Sequence, residues 1–149
     1  MEHFKTQEIV CRRTYEHRGE RSLQLMDNRI TNFIDHLREA LKKPITVNDW
    51  VWGGINQYRG LRDSGSDVYS QYSQHTYGRA IDFTVKGMTS ESVRQWIIAN
   101  RELDWIKPIS FIEDGVSWVH CDVRDISSSD LWLYDVHTKE NLIYKRNTK

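Results

Sequence analysis

Residues 73–83 read Ser-Gln-His-Thr-Tyr-Gly-Arg-Ala-Ile-Asp-Phe, and this stretch limits the fold more than any other. A polar loop meets an apolar strand there, with Gly78 between His75 and Asp82. His75 and Asp82 are too widely spaced for one helical face. A glycine turn with a positive φ doubles the chain back and lets them converge. Ile81 and Phe83 then anchor the strand in a core, and Asp82 faces the other side. A second apolar run, Val116-Ser117-Trp118-Val119-His120-Cys121-Asp122-Val123-Arg124, brings another histidine. On a neighbouring strand His120 would face the same space as Asp82. Two imidazoles and one carboxylate from separate segments make a three-ligand metal site with an open position, which is how catalytic zinc is held.

The remaining segments read as a mixed chain. Residues 1–20 form a polar arm that Phe4, Ile9 and Val10 can pin to a core. Over residues 23–41 the apolar positions Ile30, Phe33, Ile34, Leu37 and Leu41 share one helical stripe, and Pro44 stops the helix. His36 lies off that stripe, and His3, His17 and His137 fall on the arm or in a turn, so these four are surface residues. Residues 45–52 read as a strand of β-branched and aromatic side chains. A polar loop over 57–74 leads to His75, and a loop this long in a small domain is commonly functional. A strand over 80–85, a helix over 90–102 capped by Ser90, and strands over 109–113 and 116–123 follow, the last two joined at Asp114-Gly115. A final hairpin spans 131–136 and 141–144. This order predicts a single α+β domain over residues 1–149, with an antiparallel sheet packed against helices.

Composition excludes several classes. Lys+Arg and Asp+Glu both total 21, and this neutral balance lacks the basic footprint of a nucleic-acid binder. Cys11 and Cys121 make no disulfide framework, and both are expected as free thiols. In a strand through His120, Cys121 points away from the metal. The start carries no basic-then-apolar leader, and no apolar run is long enough for a bilayer. The expectation is synthesis in a cytoplasm, with no membrane insertion. Six Trp and seven Tyr suit an aromatic core and rim, or a cleft lined for a sugar or peptide.

The patterns Ser73-x-His75-x-x-Gly78-Arg79-Ala80-x-Asp82 and Trp118-Val119-His120-x-Asp122 resemble the zinc D-alanyl-D-alanine peptidases. The chain is most similar to their single-domain branch, common in bacteriophages and bacterial cell-wall enzymes. Phe4…Glu8…Cys11, Leu37-Arg38…Pro44-Ile45 and Gln57-Tyr58-Arg59 extend the resemblance over most of the chain. It implies an α+β fold of the type shared with hedgehog signalling domains. It implies Zn2+ on His75, Asp82 and His120, and substrates that are peptidoglycan stem peptides cut near D-alanine by a carboxypeptidase or endopeptidase. For a phage-encoded member it implies a lysis enzyme or virion-associated lysin. Such a protein acts at the cell wall after release, or is carried in a particle among other phage proteins, and is a monomer if free. The competing reading is a non-catalytic, peptidase-like structural or wall-binding module of a phage particle. A weaker one is a zinc-bearing signalling domain of the hedgehog kind.

Peptide hydrolysis needs a carboxylate that takes a proton and hands it to the leaving amine. Many members of the family place an acid three residues before the last histidine. Here that position is Ser117, a departure from the pattern. Glu113 is the preferred base, as some phage members carry a glutamate a few residues upstream of Trp-Val-His. A tight Asp114-Gly115 turn would set it two side-chain steps from His120, and a wider turn would bring it closer. Asp122 is the alternative base, or else orients His75 or His120. Arg59 matches the family's loop arginine and is the first choice to stabilise the oxyanion, with Arg62 and Arg79 as further cations. Ser73 and Gln74 are candidates to hydrogen-bond substrate amides, and Tyr77 and Trp118 to wall the cleft.

Overall fold

The computed structural model describes residues 1–147. Three helices, α1 (Arg12–Arg18), α2 (Asn28–Leu41) and α3 (Ser90–Ala99), pack with six strands. The strands are β1 (Ile45–Thr46), β2 (Ala80–Val85), β3 (Phe111–Asp114), β4 (Val119–Asp122), β5 (Leu131–Asp135) and β6 (Asn141–Tyr144). They form one sheet in the order β1-β2-β4-β3-β5-β6. The architecture is a single α+β domain. The sheet is mixed, not antiparallel throughout, because β3 pairs with β5 in parallel. The segment between β4 and β5 crosses to the far edge of β3 rather than turning back beside β4.

Helix α2 starts where Asp27 accepts the Arg29 backbone N–H. Its stripe Ile30, Phe33, Ile34 and Leu37 is fully buried, and Phe33 meets Phe83 of β2 edge-on with ring centroids 6.3 Å apart. Two aromatic rings continue this layer, since Trp105 lies against Phe33 and stacks on Trp96. The N-terminal arm packs as expected, with Ile9 and Val10 fully buried, but it folds into α1 and short 3-10 turns. Sequence-stretch differences have simple causes. The predicted strand over 45–52 stops after Thr46, because Asp49 gathers the 49–56 loop through the Asn56 backbone and side chain. Trp50–Trp52 becomes a 3-10 turn there. The predicted start of the first helix at residue 23 falls in a 3-10 segment that ends before Asp27. Thr89, one residue before Ser90, caps α3, and α3 stops at Ala99.

Across the centre of the sheet the strand registers align side chains in rows. Ile81, Cys121 and Ile112 are paired across β2, β4 and β3 and lie in the core at 0% exposure. Asp82, His120 and Glu113 form the next row and therefore project from the opposite face. Cys121 is a buried free thiol on the core side, as expected, and Cys11 is also free and buried. Among the described residues no helix is long and apolar enough to cross a membrane.

Candidate metal centre

The turn before β2 builds the first half of the site. Gly78 sits at φ +67°, and a Cβ there would lie 2.1 Å from the Leu25 carbonyl oxygen. Only glycine fits both the dihedral and the space. The backbone then reverses, with Gly78 N–H bonding the His75 carbonyl and Arg79 N–H the Gln74 carbonyl. His75 thereby returns over Asp82, with Nε2 3.3 Å from Asp82 Oδ2. On the other side, His120 Nδ1 lies 2.7 Å from Asp82 Oδ1. All three side chains are buried, and their ligand atoms lie within 4.8 Å of one another.

This donor set could hold a metal ion. Donors around one ion at about 2.0–2.2 Å sit roughly 3–4 Å apart, close to the spacing seen here. The outer nitrogens fit as well. His75 Nδ1 is 2.9 Å from the Gly60 carbonyl, so that nitrogen donates and Nε2 keeps its lone pair towards Asp82. His120 Nε2 is 2.9 Å from Asp122 Oδ2, which leaves Nδ1 for an ion. Asp122 is fully buried, and Arg124 grips it, with Nε 2.9 Å from Oδ1. Burial would push the Asp122 carboxyl up, but hydrogen bonds from His120 and Arg124 hold it below the usual carboxylate range. Asp122 thus acts on His120 and has no free face for a substrate proton.

In metal-free protein the same contacts make His120 an imidazolium. Burial alone would lower its pKa, but Asp122 and Asp82 on its two nitrogens outweigh burial and raise it to about 10. Burial likewise opposes ionisation of Asp82, and the neighbouring imidazoles overcome it and hold the carboxyl far below its ordinary value. His120, raised above an ordinary value of about 6.5, stabilises the fold fully below that pH and loses its contribution as pH rises through about 10. Asp82 contributes above about pH 4 and loses its contribution as the pH falls further. Melting the chelator-treated protein by circular dichroism should show Tm falling between about pH 7 and 10. A flat Tm across that window would rule out a buried imidazolium.

The triad opens into a cleft of about 510 Å³. Glu113 reaches it from directly opposite His120 in the β3–β4 register. The two-step separation expected from a tight turn does not occur, because the connection is wider and β4 starts only at Val119. Helix α3 fixes that connection. Arg94, 5% exposed, donates to the carbonyls of Val116 and Trp118, and Ser90 Oγ donates to the Ser117 carbonyl. Ser117 contributes its main chain to this brace, not an acid to the site.

Of the predicted cations, Arg62 lines the cleft, 3.9 Å from Asp82 Oδ2, and Arg59 does not. Burial lowers the Arg62 pKa, while Asp82 and Glu113 oppose that shift. Arg59 serves through its main chain: its carbonyl accepts the Asp82 N–H at 2.7 Å and its N–H donates to buried Asn48. Ser73 and Gln74 lie in the cleft wall, and Ser73 Oγ accepts the His75 N–H. Gln74 Oε1 is buried with no hydrogen-bond partner among the described residues. Trp118 lines the cleft, whereas Tyr77 opens into a neighbouring depression behind Arg62. Sequence reasoning passed over Val68 and Tyr72, which form the loop rim of the cleft although 65% and 77% exposed. It also missed Arg124, although the period-two spacing His120, Asp122, Arg124 puts all three on one strand face. The other histidines are surface residues: His36 stacks on Trp105, His3 pairs with Glu39, and His137 contacts the Gly115 carbonyl. No family model, curated protein or solved structure matches this chain.

Proposed function

We propose that this chain is a zinc-dependent peptidase that hydrolyses peptidoglycan stem peptides near D-alanine, as a phage lysis or virion-associated enzyme. The observation that carries the reading is the buried His75–Asp82–His120 triad, with each outer imidazole nitrogen held and a carboxylate beside it. A rigid donor set opening on a cleft suits a catalytic ion better than a structural one, which is fully enclosed by four protein ligands. The motif resemblance to the D-alanyl-D-alanine peptidases supplies the substrate class and the hedgehog-type fold.

When bound, zinc supplies a Lewis acid that polarises the scissile carbonyl and makes water acidic at neutral pH. Glu113 accepts the proton of the attacking water and passes it to the leaving amine. The Arg62 guanidinium, held by contact with the Tyr58 carbonyl, presents positive charge where the tetrahedral oxyanion develops. Asp122 and the Gly60 carbonyl keep the two imidazoles in orientation. Val68, Tyr72 and Trp118 are the apolar groups that a bound peptide covers, which removes water from around the reacting bond.

Elemental analysis of protein purified without chelator should give about one zinc per chain. Turbidity of purified cell walls should fall on addition of the protein and stay constant after chelation, with recovery on zinc addition. Bound zinc without cleavage of any wall type would instead establish the non-catalytic module.

A further inference from the structure

The metal cleft does not end at Arg62. That side chain also walls a second depression of about 450 Å³, lined by Leu25, Leu61, Asp63, Tyr69 and Tyr77. Its volume lies in the range of ordinary small-molecule sites. Main-chain bonds tie its walls to the metal centre. Arg62 N–H donates to the His75 carbonyl, and Thr76 and Tyr77 follow that histidine directly. The Gly78 carbonyl accepts the Asp27 N–H, and Leu61 N–H donates to the Ile9 carbonyl in the buried arm. Asp63 joins the opposite wall to α1, accepting from Thr14 Oγ1 at 3.1 Å. These bonds preform the depression.

Its chemistry is aromatic and hydroxylic, without unpaired charge. Tyr69 and Tyr77 are 40% and 51% exposed, and neither phenol has a hydrogen-bond partner among the described residues. Arg62 turns its guanidinium to the Tyr58 carbonyl and to Asp82. Asp63 accepts from Thr14, Cys11 and the Gly65 N–H. An acidic or basic residue of a stem peptide therefore meets no free counter-charge here. An uncharged ring with an apolar face and a rim of hydroxyls meets both its partners: tyrosine faces for its C–H groups and free phenols for its hydroxyls.

We propose that this depression binds a sugar ring of the glycan strand that carries the stem peptide. The inference rests on the peptidoglycan reading of the cleft. The peptide lies along His75 and Glu113, and the sugar lies beyond Arg62. A few residues of extended peptide, at about 3.3–3.6 Å each, cross the Arg62 wall. Tyr69 and Tyr77 are the specificity-determining residues. Contacts this far from the scissile bond supply binding energy that holds the peptide in one direction across the triad.

Amide NMR of the intact protein, titrated with a trisaccharide of N-acetylglucosamine, tests this without cleavage. Saturable shifts are expected at residues 61–64, Tyr69, Thr76 and Tyr77, with a Kd on the order of 1 mM. Tyr69→Ala and Tyr77→Ala should each weaken binding at least about fivefold, and both side chains lie outside the core. Hydrolysis of a glycan-linked stem peptide and of the same peptide free gives a second readout. Wild-type kcat/KM should favour the linked form at least about tenfold, and Tyr77→Ala should erase most of that preference. Cleavage of neither substrate would reject the peptidase reading, while the saturable shifts alone uphold the sugar site. Linear shifts, shifts centred on Val68, Tyr72 and Trp118, a Kd unaltered in both variants, or equal kcat/KM for linked and free peptide would each overturn the proposal.

Discussion

Replacing His120 with alanine is expected to remove zinc and activity together. His120 supplies one of three donors and stands between two buried carboxylates. Losing a hydrogen-bonded outer partner of a metal ligand costs about 10–100-fold in affinity. Removing the ligand itself should exceed that range, leaving zinc content near zero after dialysis. The change also removes the imidazole between Asp82 and Asp122, but Asp122 keeps Arg124 and Asp82 keeps His75, so the fold should lose less than the roughly 3–5 kcal/mol that an unpaired buried charge costs. Asp122→Asn separates the two effects. It keeps the imidazole and should lower zinc affinity by the smaller factor while leaving measurable wall cleavage. Stoichiometric zinc and undiminished cleavage in His120→Ala would exclude the triad as the metal site.

Glu113→Gln should do the reverse: zinc stays and turnover goes. The amide matches the carboxylate in shape but takes up no proton, and Glu113 is outside the donor set. General acid–base catalysis contributes about 10²–10⁴-fold, and kcat should fall by that factor. KM should change little, because the substitution leaves the cleft's shape intact. A wild-type rate in this variant would reject Glu113 as base. Asp122 would then be tested, despite its full burial and its engagement by His120 and Arg124.

The His75–Asp82–His120 cluster was legible in the sequence because a strand has period two and glycine marks a turn. Those local rules place Ile81 inward and Asp82 outward without knowledge of the fold. The core stripe of α2 was legible for the same reason, at period 3.6. Long-range choices were not. The parallel pairing of β5 with β3 depends on where the 123–130 segment crosses, and no local pattern encodes that. The position of Glu113 depended on the width of one turn, which Arg94 on a distant helix decides through two main-chain carbonyls. Arg59 and Arg62 share a loop, and only the path of that loop over Asn48 selects which one faces the cleft.

The rows across β2, β4 and β3 make the protein its own proofreader. Ile81, Cys121 and Ile112 alternate with Asp82, His120 and Glu113 along the same three strands. Slippage of any one strand by a single residue would drive its ionisable group into the greasy layer under α2 and push its aliphatic group into the wet groove. A misregistered chain is therefore penalised twice, by stranded charge and by exposed hydrocarbon. Molecules that survive this selection already carry their donors aligned.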